Sequence, residues 1–72
     1  METRPLDVLN NGRGKRIVLI LKNSGEITGV LQAFDIHLNI WLTDAEVSEE
    51  NVTKKYGKLL VRGDNIVYAS PQ

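Results

Sequence analysis

The side chains of this chain that can do chemistry fall into two short segments, Asp35-Ile36-His37-Leu38-Asn39 and Arg62-Gly63-Asp64-Asn65. Ile40 and Leu42 alternate with polar or exposed positions, and the same alternation carried backwards aims Leu38 inward and His37 and Asn39 outward. His37 then offers a flat aromatic ring for base stacking, and Asn39 offers an amide donor and acceptor for a base edge. In the second segment the planar Arg62 guanidinium can stack on a base while Asp64 holds it by a bidentate ion pair. Gly63 permits a tight turn or a close backbone approach. Each segment also has a plain structural reading. Asp35 and Asn39 are of the type that caps backbone groups at strand ends, and Arg-Gly-Asp-Asn has the composition of a hairpin turn. Their joint content, not either one singly, favours a base-binding site.

Catalysis finds little support. The sequence has no cysteine nucleophile, no phosphate-cradling glycine loop and no HExxH pattern. Ser24, Ser48 and Ser70 lack the flanks of a nucleophile elbow. Asp35 and His37 read as a turn-forming aspartate and an incidental polar neighbour rather than an acid–base pair. With one histidine and no cysteine, neither a zinc site nor a disulfide is expected. No enzyme activity, metal or cofactor is expected.

These segments must be positioned by very little protein. Seventy-two residues make one domain, 1–72. A domain of this size buries only about 60% of the surface its unfolded chain exposes, so it gains from partner subunits. Nine basic and nine acidic residues cancel, which argues against a strongly basic, non-specific nucleic-acid coat protein. No apolar run approaches the ~18 residues of a membrane span, and Met1 to Pro5 has no signal-peptide core. A cytoplasmic location without membrane contact is the expectation.

The N-terminal segment predicts one short helix, with Thr3 as cap, Pro5 in the first turn and Asp7 at the positive end. Leu6, Val8 and Leu9 form its apolar stripe, and Asn11-Gly12 suits a left-handed stop. Short strands follow. Ile17 to Leu21 is continuously apolar, as in a strand covered on both faces. Asn23-Ser24-Gly25 is a turn, and Ile27, Gly29, Leu31 and Ala33 then alternate with Thr28, Val30 and Gln32. Mid-strand Gly29 marks a sharp bend. Leu38, Ile40 and Leu42 begin a third strand, which a polar hairpin around Glu49-Glu50-Asn51 extends. Tyr56 to Val61 and Ile66 to Ala69 supply the last two. The fold class expected is mainly β: a short helix, then a five-stranded, strongly bent antiparallel small barrel. The last two strands are apolar and weakly guarded by charge, which suggests pairing with neighbouring chains. Head-to-tail pairing that closes generates a ring.

The chain resembles the Sm/Sm-like (LSm) family, most closely its short archaeal type, over essentially its full length. The first Sm motif is matched by Ile17 to Thr43, with Gly29 in the bent strand and Asp35-Ile36-His37-Leu38-Asn39 in the signature loop. The second is matched by Leu60-Val61-Arg62-Gly63-Asp64-Asn65-Ile66. Leu38 departs from the methionine common in the family. The resemblance implies homo-oligomeric rings, usually heptamers, joined by the fourth strand of one subunit and the fifth of the next. It also implies binding of single-stranded, uridine-rich RNA at the pore and a role in ribonucleoprotein scaffolding or RNA chaperoning, with RNA-processing proteins as further partners. Carried over, His37 and Arg62 would sandwich the uracil and Asn39 would hydrogen-bond its edge. Asp64 would orient Asn39 or Arg62, Asp35 would brace the loop, and Gly63 and Asn65 would shape the second loop, Gly63 contributing backbone contacts. The alternative is a structural ring acting mainly through protein partners. Arg4, Arg13, Lys15 and Arg16 form either a second RNA surface or, the plainer reading, a solvated basic stretch. Lys22 is a candidate phosphate contact, and Trp41, Phe34 and Tyr68 read as packing or interface residues.

Overall fold

A computed structural model describes residues 4–72. The expected cap at Thr3 lies outside these residues. Helix α1 spans Pro5–Asn11, with Arg4 extended at the cap position and its guanidinium donating to both Asp7 carboxylate oxygens at 3.0 and 3.2 Å. The helix does not end in a left-handed residue. Gly12 is right-handed (φ −89°), and the left-handed residue is Gly14 (φ +81°).

Five strands follow: β1 Arg16–Leu21, β2 Glu26–Phe34, β3 Ile40–Glu49, β4 Val52–Val61 and β5 Ile66–Pro71. They form one antiparallel sheet in the order β4-β3-β2-β1-β5. β4 and β5 are therefore its two edges, and the sheet is bent but unclosed within one chain. Two features bend β2 against β3. The register shifts between Thr28 and Val30, opposite Asp44, whose φ of +50° makes it the extra residue of a bulge. Gly29 sits there because a Cβ would lie 3.2 Å from the Cβ atoms of both Leu42 and Ala45. Glu50 and Asn51 both have positive φ, the signature of a two-residue turn whose twist matches the strands it joins. The polar hairpin extension expected around them is present.

The core consists of Leu9, Ile17, Leu19, Ile27, Leu31, Ile40, Leu42, Ala45 and Val61. β1 alternates: Ile17 and Leu19 are buried and Val18 and Ile20 half-buried, so its second face is only partly covered. Strict alternation fails at Ala33, exposed where the β2 register shifts after Leu31, and at Leu38. The latter has φ +60° and is 40% exposed, because β3 begins two residues later and the chain turns over at this point. Leu38 borders a groove beside Leu6, Leu9 and Ala69 instead of entering the core.

Candidate nucleic-acid interface

The β2–β3 loop is tied together by one carboxylate. Asp35 Oδ1 accepts the backbone N–H of His37 (2.9 Å) and of Asn39 (3.0 Å), while Oδ2 accepts the Asn39 side-chain amide (3.0 Å). Backbone bonds from Leu38 N–H to Asp35 O and from Asp35 N–H to Asn39 O close the loop. Asn39, then the backbone amide of His37, holds the Asp35 carboxyl below its ordinary aspartate value, because each bond favours the charged acceptor. A group with a depressed folded-state value contributes order above its unfolded value and loses it as pH falls through the depressed one. The amide shifts of His37 and Asn39 are accordingly expected to titrate together on acidification, with a midpoint below the ordinary aspartate range. A midpoint at or above that range would contradict the brace.

The second loop is a single 3-10 turn, Gly63–Asn65, closed by Asn65 N–H to Arg62 O at 3.1 Å. It meets the first loop through Gly63, whose N–H donates to Asn39 Oδ1 at 2.9 Å. Gly63 does not have positive φ, so the turn itself does not require glycine. Proximity does: a Cβ would collide with the His37 carbonyl oxygen and lie 2.9 Å from the Leu38 carbonyl carbon. Of the two roles open to Gly63 from sequence, close approach is the one observed. Its N–H is engaged by Asn39.

Together His37, Asn39, Arg62, Gly63 and Asp64 line an open cleft of about 460 Å³. Asp64 pairs with Arg62 (3.4 Å), so of its two candidate partners it serves the guanidinium; Asn39 is oriented by Asp35 and Gly63. The two bonds on Asn39 fix which way its amide points. Exchanging its oxygen and nitrogen would set an NH₂ against the Gly63 N–H and an oxygen against the Asp35 carboxylate. One amide hydrogen and one oxygen lone pair are left over. Ile36, which the sequence did not single out, stands 79% exposed at the loop tip. It was hidden because an apolar residue next to a strand reads as core. Three of the four N-terminal cations are engaged elsewhere: Arg4 with Asp7, Arg16 with Asp44, and Arg13 Nε on the Gln32 carbonyl; Lys15 is the exception.

The two loops lie at adjacent strand ends of a bent five-stranded sheet, joined by the bond from the Gly63 backbone N–H to the Asn39 side chain. The family model for the LSM domain matches residues 7–71. This chain belongs to the LSM domain family. An snRNP Sm-like protein of Pyrococcus horikoshii is 49% identical over 72 residues, covering 99% of this chain and 96% of the relative. One from Thermococcus kodakarensis is 46% identical, covering 99% and 95%. Among solved structures, the Pyrococcus abyssi Sm protein in complex with a uridine heptamer matches with a TM-score of 0.91 and 44% identity, covering 97% of this chain and 100% of that one. The Pyrobaculum aerophilum SmAP1 heptamer matches with a TM-score of 0.89 and 35% identity, covering 100% and 97%. The LSM family consists of RNA-binding ring scaffolds, not enzymes.

Proposed function

We propose that this LSM protein forms a homo-oligomeric ring, a heptamer, and binds single-stranded uridine-rich RNA at its pore as a ribonucleoprotein scaffold or RNA chaperone. A base enters the cleft between the His37 ring and the Arg62 guanidinium, which Asp64 steadies. Stacking of this kind contributes roughly 1–3 kcal/mol per base. Several weak pockets on one rigid ring then act together through effective concentration. The relatives and the solved neighbours support the reading, since one is a heptamer and another holds a uridine heptamer.

The observation that carries it is the locked Asn39 amide. Its free N–H matches uracil O4, and its free lone pair matches uracil N3–H. Cytosine in the same pose presents a donor and an acceptor in the opposite order. An unconstrained asparagine would answer by flipping, but here the flip breaks two bonds, each worth about 1 kcal/mol net and more when a group is left unpaired. Discrimination therefore comes from the bonds that Asp35 and the Gly63 N–H make to the Asn39 amide. Native mass spectrometry of the ring with oligouridine and oligocytidine of equal length tests this. A discrete ring retaining the uridine strand selectively is expected; equal retention of both would defeat the reading.

A second reading, a ring acting mainly through protein partners, has one observation in its favour. An apolar groove of about 270 Å³ runs between α1, Leu38 and β5, lined by Leu6, Val8, Leu9, Ala69 and Pro71 among others. A ring that retains neither strand would support it.

A further inference from the structure

Base stacking leaves the phosphates of a bound strand without a partner, and the base site supplies none. With His37 counted neutral, Asp35, Arg62 and Asp64 leave the two loops with a net negative charge. Of the nine basic residues, Arg4, Arg16, Lys55 and Arg62 are in ion pairs and Arg13 is hydrogen-bonded. The side chains of Lys15, Lys22, Lys54 and Lys58 have no such partner among the described residues. Lys15 borders a groove behind α1 with Val8 and Pro71, and Lys54 and Lys58 lie along β4.

Lys22 is placed differently. Its backbone N–H donates to the Asn65 carbonyl at 2.9 Å, which ties the β1–β2 turn to the turn that carries Arg62. Arg62 borders two cavities. One is the base cleft; the other, of about 440 Å³, has Lys22, Asn23 and Asn65 in a wall that is otherwise largely apolar and includes Leu60 of the β4 edge. Glu49 also borders the second cavity but reaches toward Gly25, not within ion-pair range of Lys22. The 62–65 turn is thus a ridge with the base site on one side and a free ammonium on the other.

We propose that Lys22 is a phosphate-contacting residue for the bound strand, whose backbone passes over the Arg62–Asn65 turn from the base cleft to the Lys22 ammonium. The inference rests on the RNA-binding reading above and adds a residue to it. An ammonium is a point charge without the geometry to read a base edge, so Lys22 contributes affinity and salt dependence but no base selectivity. A ring repeats the contact in every subunit the strand engages.

The test is fluorescence anisotropy of labelled oligouridine on the intact ring across a salt series, for the wild type, Lys22→Gln and Lys54→Gln. For single strands, each phosphate contact contributes about 0.7 to the slope of log K against log salt. Lys22→Gln is expected to flatten the slope by about 0.7 per subunit engaged. Its preference for uridine over cytidine should be unchanged, and Lys54→Gln should match the wild type. A wild-type slope in Lys22→Gln overturns the proposal. Equal flattening by Lys54→Gln overturns it too, because the effect would then be one of overall charge. Wild-type rings that bind no oligouridine at all would fail the RNA-binding reading itself, a result separable from either.

Discussion

Gly63→Ala is expected to abolish selective oligouridine binding while leaving the sheet folded. The added methyl would occupy the space of the His37 carbonyl oxygen and press on Leu38 at 2.9 Å. Both obstacles are backbone, so no side chain can rotate to relieve them. The two loops must separate, which breaks the Gly63 N–H bond to Asn39 Oδ1 and frees the amide to flip. It also shifts Arg62 relative to His37 in the cleft that both line. At roughly 1–3 kcal/mol of stacking per base, each pocket loses about 5- to 150-fold, and for a strand spanning several pockets these factors multiply. The sheet should survive, since Gly63 lies outside the core and its φ suits alanine. Circular dichroism and native mass spectrometry would establish the fold and ring, and anisotropy the binding. A folded ring within about threefold of wild-type affinity would mean that the loop contact does not shape the site.

How much of this was legible beforehand follows from the range of each interaction. Period-two patterns along Ile27 to Ala33 and Ile40 to Leu42 reveal strands because alternation is local. Gly29 was readable as a bend because glycine inside a strand needs a reason, although the bulge at Asp44 that completes the bend carries no composition signal. Alternation failed at Leu38, where a single positive φ reverses which way the chain faces. The residues singled out by type do converge: His37, Asn39, Arg62, Gly63 and Asp64 line one cleft, and Asp35 braces its first loop. Their division of labour was not. Whether Asp64 serves Asn39 or Arg62, and whether Gly63 turns the chain or admits a neighbour, depends on contacts 24 residues apart in sequence. Such pairings are fixed by the register of β3 on β4, which no short motif encodes. The free charge on Lys22 belongs to the same class: it emerges only once the other cations are seen to be engaged.

The unclosed sheet leads to the second large effect. Leu60 on β4 and Tyr68 on β5 are 63% and 60% exposed on the two edges, and β5 carries no charged residue to discourage pairing. If β4 of one subunit pairs with β5 of the next, each interface uses two different surfaces, and a charge on either should dismantle the ring. Leu60→Glu and Tyr68→Glu are each expected to convert the ring to small species. Their mixture distinguishes the mode of pairing. The Leu60 variant keeps a sound β5 edge and the Tyr68 variant a sound β4 edge, so one interface of each pair can form and no second one can follow. Equimolar mixing should therefore yield heterodimers and no ring. Pairing of like edges predicts otherwise, because Tyr68→Glu would then self-associate through β4 and mixing would add nothing. Sedimentation of the two variants, alone and mixed, reads this directly. Loss of the ring should also cost oligouridine affinity far beyond any change in a single pocket, since a monomer presents one cleft where the ring presents several at fixed spacing.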